Sequence, residues 1–403
     1  MKRRISILII AIIISFMNVE AQNIEGVWRA ELVTPWGGLP FQLEIFREGN
    51  ILMYDIINGA EQLSAPAIQM NDSIVLESAV FHSSIRANVN ADGDELEGEW
   101  TDYSRGDNYS MPFKARKNES YRFSKNPSIP AADISGQWYT KFTKDGETSD
   151  AIAVFSQSGN DLEGTFLTAT GDYRFLEGEV DGSNFKLSAF DGSHAFLFEG
   201  TIEDNNALMG NFYSGKHWNE SFTAVRDENF ELPDPGSLTY MKNPDEKFSF
   251  CFDDFDGSPV CLNDSTYDDK VVIIQIMGSW CPNCMDESEY LAELYRMYNP
   301  EGLEIIALAF ERETDKAIAK TNFDKLKGRI GVDYPMLLAG TSSKRDASQA
   351  LPQLSKVIAF PTTLIVNKNK EVVWLHTGFN GPATGYLYLD FKHKMQQVIE
   401  DLL

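Results

Sequence analysis

Cysteine is scarce in this chain. There are four in 403 residues, and all of them lie between positions 251 and 284. A fold stapled by disulfides would spread its cysteines along the chain, so this clustering points to local chemistry in one region. Histidine is hardly commoner, at five, and no two histidines form an H-x-x-x-H unit. Only one C-x-x-C pair is present, at Cys281 and Cys284. A structural zinc site takes four ligands, usually two such pairs or one pair with two histidines, so no metal is expected. Basic residues are outnumbered, 35 against 60 acids, for a net charge of −25. That balance disfavours nucleic acid or an anionic membrane surface as a partner, and it is read here as a device for solubility.

Long apolar runs are also missing after the first residues. The one run stands at the start, in "MKRRISILIIAIIISFMNVEAQ". Lys2, Arg3 and Arg4 precede a short apolar stretch, and Ala21 offers a small residue for cleavage. This is the pattern of a secretory signal peptide over residues 1–21. The stretch is short for a spanning helix, which needs about 20 apolar residues, and an uncleaved anchor is the alternative. No cysteine follows the run, which excludes a lipoprotein anchor at that cut. The mature chain is expected outside the cytoplasm, in the periplasm or cell envelope.

Helical periodicity is absent from residues 23–227, and what stands there is a repeat. "NIEGVW" at 23–28 returns as "DISGQW" at 133–138, "GNIL" at 49–52 as "GNDL" at 159–162, "LEGEW" at 96–100 as "LMGNF" at 208–212, and "FKAR" at 113–116 as "FTAV" at 222–225. The order is kept and the offset stays near 110, so two copies of one module are read, 23–118 and 133–227. "FQLEIF" (41–46) and "FKLSAF" (185–190) alternate apolar and polar residues as half-buried strands do. Short strands between turns such as "DGD" and "DGS" favour a small barrel or a sandwich. The G-x-W opening each copy resembles the first-strand motif of lipocalin-like barrels over three residues only.

Linkers are expected at 117–133 and at 228–244, and from 245 to 403 the pattern changes. "VVIIQIM" (271–277) and "LEIIALAF" (303–310) read as buried strands, 285–298 and 314–328 as helices, "TTLIVN" (362–367) and "EVVWLHT" (371–377) as strands, and 386–403 as a closing helix. This is an α/β layer domain.

"GSWCPNC" (278–284) sits where the first of these strands turns into a helix. A structural disulfide there would close too small a loop to add much stability. Redox chemistry fits better. Cys281 falls at the helix N-terminus, where unpaired N–H groups favour an anion such as a thiolate. Cys284, one turn further in, is placed to resolve a mixed disulfide formed at Cys281. Pro282 suits the first helical turn.

At these residues the chain resembles thioredoxin-like proteins, and more closely the extracytoplasmic thiol–disulfide oxidoreductases of the TlpA/ResA type. The likeness runs from about 245 to 403. It includes "FCFDDFDGSPVCLND" (250–264), Glu287 three positions after the second cysteine, "AFPTTLIVN" (359–367) and "HTGFNGPATG" (376–385). The resemblance implies a cis-proline at Pro361, with Phe360 beside the cysteines and open to a substrate strand; an ordinary trans proline is the alternative. Trp280 is read as a flat lid beside Cys281 or as packing. Glu287 is read as the acid that accepts and returns the Cys284 proton, or as a solvated helix acid. Thioredoxin itself carries a buried acid six positions before its first cysteine, where this chain has Gln275. In a hairpin centred on Asp256, Cys251 and Cys261 stand opposite each other, so a structural disulfide is expected, with two free thiols as the alternative.

Two functions follow as expectations. The first is an enzyme, a periplasmic protein-disulfide reductase with no cofactor beyond its own Cys281–Cys284 couple. It would act on a protein thiol or disulfide and draw electrons from a membrane thiol donor, with the repeated modules docking the partner. The second is a ligand- or partner-binding protein with an accessory thioredoxin-like domain. A peroxidase fits less well, since that chemistry uses a T-x-x-C setting and Cys281 follows "GSW".

Overall fold

In a computed structural model, the described residues are 22–403, apart from 107, 205, 256, 313–314 and 332–333. The expected signal peptide at 1–21 and the hairpin centre at 256 lie outside them. Among the described residues, no helix is long and apolar enough to cross a membrane.

Both repeated modules are closed barrels rather than sandwiches. In the first, eight antiparallel strands run from Gly26–Thr34 to Ser110–Lys117, and the last pairs back onto the first, Trp28 opposite Lys117 through Leu32 opposite Phe113. In the second, Trp218–Arg226 pairs with Gly136–Lys144, and Glu147–Ser158 with both Gly136–Lys144 and Asp161–Thr168, so that ring closes too. Alternation decides which side chains enter. Phe41, Leu43 and Ile45 point inward from Gly37–Glu48, as Phe185 and Leu187 do from Asn184–Phe190.

The interiors are filled by side chains. Phe166 stacks on Phe198 at 4.5 Å between ring centroids, and Phe198 on Phe212 at 4.5 Å. The repeated tryptophan has the same task twice. Trp28 and Trp138 are fully buried, and each indole N–H donates to the carbonyl four residues back, Ile24 and Ile134, at 2.9 Å. A cation from the last strand covers each ring, Lys117 at 5.7 Å and Arg226 at 4.3 Å.

The segment expected to be a linker between the copies is a wedge. Arg122 is buried and donates to Glu177 (2.8 Å), to the hydroxyl (3.1 Å) and carbonyl (2.9 Å) of Ser188, and to Asn58 (3.3 Å). With the Phe41–Phe190 contact at 4.6 Å, this joins the barrels into one body.

The C-terminal domain is a five-stranded sheet in the order Met336–Thr341, Leu303–Glu311, Val271–Met277, Thr362–Val366, Val372–Thr377. The first three are parallel and the last two antiparallel. Every residue of Val271–Met277 is buried, which explains why all but Gln275 are apolar. Helices Pro282–Tyr298, Lys316–Ile330 and Tyr386–Leu402 flank the sheet. Strand Met336–Thr341 and helix Lys344–Ala350 were not read from the sequence. The strand is a half-exposed edge with only three large apolar residues, and the helix has seven residues, too few to show a period. Ahead of the sheet, Cys251–Asp253 pairs with Pro259–Cys261, and the opposed Cys251 and Cys261 are joined by a disulfide.

Candidate active site

The central strand stops at Met277, and Gly278–Trp280 turn the chain so that Cys281 becomes the N-cap of Pro282–Tyr298, with Pro282 in the first turn. Cys281 is 8% exposed and Cys284 fully buried, and both are free thiols. The Cys281 thiol donates to the carbonyl of Phe360 at 3.4 Å. The Phe360–Pro361 peptide is cis, and the Pro361 carbonyl accepts from the N–H of Gly378 at 2.9 Å. So the motif meets the proline turn, about 80 residues further on, at the Cys281 sulfur, and the glycine turn 17 residues after Pro361 braces that proline turn.

Trp280 is half-buried. Its indole N–H donates to the Phe310 carbonyl at 2.9 Å, and its ring meets Phe360 edge-on at 5.8 Å. The Arg312 guanidinium lies 4.4 Å above the ring centre. Packing and flanking the sulfur are therefore combined in one residue.

Glu287 is fully buried, which removes the reading of a solvated helix acid. Its carboxyl accepts from Gln275 and from Thr363, each at 2.8 Å. Burial pushes it up to about 7, against the pull of those two hydrogen bonds. Gln275 also donates to the Cys284 carbonyl at 3.3 Å. The amide at the position of thioredoxin's buried acid thus holds an acid from the neighbouring helix. Burial pushes the Cys284 thiol well up, and the Cys281 thiol and Glu287 push the same way.

Other neighbours were not singled out in the sequence. Glu311 is buried and accepts from the Ser279 N–H and hydroxyl, each at 2.7 Å, which pins the turn before Trp280. The usable signal is the charged pair Glu311–Arg312 straight after a buried strand, where α/β sheets place ligand-facing residues. The barrels supply further contacts. Asn283, between the cysteines, donates to the Asp172 carbonyl at 3.1 Å, the Ser193 hydroxyl donates to the Trp280 carbonyl at 3.1 Å, and Arg312 donates to the Ser104 hydroxyl at 3.0 Å. Nothing in the local sequence marks these. Among the described residues no group of three or more His, Cys, Asp or Glu is arranged to hold a metal.

Residues 242–386 match the family described as Redoxin. Among curated proteins, the thiol–disulfide oxidoreductase ResA of Geobacillus thermodenitrificans (strain NG80-2) is 30% identical over 129 residues, which cover 32% of this chain and 66% of that protein. ResA of Bacillus subtilis (strain 168) is 30% identical over 130 residues, 32% of this chain and 64% of that protein. The chain therefore spans just under two thirds of the length of these relatives. A thioredoxin-family thiol:disulfide interchange protein from Chlorobium tepidum TLS, known as a crystal structure, is 16% identical, with a TM-score of 0.30, over 40% of this chain and 99% of that one. The family match and the curated relatives all fall on the C-terminal domain, which is similar to the thioredoxin-like domains of TlpA/ResA-type thiol–disulfide oxidoreductases.

Proposed function

We propose that the chain is an exported thiol–disulfide oxidoreductase, working in the periplasm or cell envelope as a reductase of protein disulfides through Cys281 and Cys284. The observation that carries this is the pair of free thiols at the N-terminus of Pro282–Tyr298, with the outer sulfur 3.4 Å from the Phe360 carbonyl and the inner one beside a buried, readily protonated Glu287.

The Cys281 thiolate attacks one sulfur of the substrate disulfide, forming a mixed disulfide and expelling the other sulfur as a thiolate. Cys284 loses its proton to the Glu287 carboxylate, whose pKa near 7 suits it to take and return a proton at neutral pH. The Cys284 thiolate then attacks the Cys281 sulfur and expels the second substrate thiolate. The substrate has gained two electrons, and the site is left as a Cys281–Cys284 disulfide. A thiol donor, read as a membrane protein, reduces it again. The reductive direction is carried over from the resemblance to the TlpA/ResA type.

The barrels are assigned to partner docking. Their interiors hold packed aromatic rings, so they offer their outer surfaces to a partner, and a tethered docking surface raises the concentration of that partner near Cys281. The test is turnover of a small aromatic disulfide with a dithiol as electron source. The full chain should turn over repeatedly, and Cys281→Ser and Cys284→Ser should each abolish repeated turnover. Undiminished turnover in Cys281→Ser would remove the proposal.

A further inference from the structure

The face that carries Cys281 is not open to a chain. Three turns of the barrels lie on it. In the second barrel the backbone at Thr170 comes so near Gly378 that a Cβ there would sit 2.7 Å from the Thr170 carbonyl carbon. Next to it, the Asp172 carbonyl takes the Asn283 amide and the Asp172 carboxylate takes the Gly381 N–H. A second turn places Ser193 against the Trp280 carbonyl. In the first barrel, Val80 and Phe81 join the apolar cluster that contains Met285 and both cysteines.

At the centre of this interface Arg174 gathers carboxylates from all three domains. Its guanidinium contacts Glu61 of the first barrel, lies 3.7 Å from Asp191 of the second, and lies 2.8 Å from Asp286 of the helix that begins at Pro282. All four side chains are 10% exposed or less. Only the Glu61 contact is aligned as a hydrogen bond; the nitrogens facing Asp191 and Asp286 have none. The cluster is held by charge more than by directional bonds, and one cation faces three acids. Glu61 also accepts from Asn58, and Asp191 from the N–H groups of Ser193 and His194, so removing that cation chiefly leaves the buried Asp286 carboxylate without its ion-pair partner, which is strongly unfavourable.

The chain crosses this interface once, at 231–234. On the barrel side it is fixed as far as Phe230, whose carbonyl takes the Gln137 amide at 3.0 Å and whose ring lies 4.2 Å from that of Tyr139. On the other side Pro235–Leu238 packs on Val372–Thr377, and Met241 bridges to Leu354. Between these anchors Glu231, Pro233 and Asp234 are exposed. A cavity of about 550 Å³, lined by Leu167, Phe230, His376 and Phe379 among others, leaves this edge of the interface unpacked.

We propose that the barrel pair is an intramolecular lid on the thiol site, occupying the place a partner protein's chain must take, and that the C-terminal domain swings from it about residues 231–234, with loss of the Arg174 cluster, to admit a protein. A small disulfide needs only the exposed edge of the Cys281 sulfur. A cysteine held in a protein chain needs room for the chain on both sides, and that room is filled by Thr170–Asp172. The proposal rests on the reading of Cys281 as the attacking thiol, but the lid is a matter of access and is tested without turnover.

The reduced full chain is treated with N-ethylmaleimide or with a polymer-linked maleimide, and labelling of Cys281 is followed by peptide mass spectrometry. Each rate is normalised to that of the urea-unfolded chain. The lid requires the bulky reagent to be slower than the small one at Cys281 by about tenfold or more, since it reacts only with the open fraction. Arg174→Met should raise the bulky rate by about tenfold and change the small-reagent rate by less than about twofold. Ser193→Tyr, which wedges the interface and keeps every charge, should act in the same direction, and circular dichroism identifies which variants fold. Equal normalised rates for the two reagents on the unaltered chain would overturn the lid whether or not the variants fold. So would an unchanged ratio in a folded Arg174→Met or Ser193→Tyr protein.

Discussion

The two barrels are copies that have kept one end and altered another. At the kept end, Trp28 and Trp138 make the same hydrogen bond under the same kind of cation. At the altered end, the hairpin formed by Ile51–Asn58 and Glu61–Met70 corresponds to the one that begins with Asp161–Thr168. In the first barrel its second strand runs unbroken for 10 residues. In the second the same strand is interrupted, as Gly171–Asp172 and then Leu176–Asp181. The interruption puts Arg174 in the left-handed region, at φ 59°, and carries its side chain out of the barrel wall into the interface. A buried tryptophan tolerates little change, while a hairpin end is free to diverge until it touches something. Here the two equivalent ends touch each other, through Glu61 and Arg174, and the altered one also touches the thiol site.

The largest expected effect tests the likeness. Trp28→Ala and Trp138→Ala should each destabilise their own barrel by about 3–5 kcal/mol, because each empties the same kind of fully packed site. Denaturant unfolding of the two variants checks this, and a cost confined to one of them would mean that the shared motif has lost its packing role in the other.

The next effect sets the barrels against the third domain. Glu287 is a buried carboxyl with neutral hydrogen-bond partners, and its pKa is raised from 4.5 to about 7. The folded state thus holds this proton to a higher pH than the unfolded state does. Its contribution is fully present below pH 4.5 and is lost as pH rises to about 7. At 1.36 kcal/mol per unit, the C-terminal domain should lose on the order of 3 kcal/mol of stability over that window. Glu287→Gln should flatten that dependence and leave the unfolding of the barrels unaltered. An identical pH slope in the variant would place the titration elsewhere.

The smallest effect returns to the kept end. Lys117→Met and Arg226→Met should each cost about 0.5–1 kcal/mol, the worth of a partly solvated cation over an aromatic ring. The Arg226 change should cost more, since its guanidinium lies closer to the ring. A reversed order in thermal unfolding would show that the cation is incidental.

Much of this architecture is legible in the sequence, and the reason is local. The repeat, the inward alternation of "FQLEIF", the buried strand before "GSWCPNC" and the opposed Cys251 and Cys261 are short-range patterns, and each is set by its own backbone. Glu287 was legible as a residue but not as an environment, because its burial depends on Gln275 and Thr363, from two different strands. The interface was not legible at all. Arg174 stands in "GDYRF", which carries no pattern, and its partners lie 113, 17 and 112 positions away at Glu61, Asp191 and Asp286. In a chain with a net charge of −25, such carboxylates look like any others on a solvated surface. The expectation that the modules dock a partner carried no sign that they also touch Asn283, Trp280 and Arg312.

The most direct test of the chemistry itself is a count of thiols released from a small aromatic disulfide in a single turnover, with the reduced protein in place of any external reductant. The account predicts two equivalents from the unaltered chain, since both substrate sulfurs leave. It predicts one equivalent from Cys284→Ser, with the other half of the reagent found on Cys281 by mass spectrometry, and none beyond background from Cys281→Ser. One equivalent released by Cys281→Ser at the same rate, with the adduct on Cys284, would contradict it.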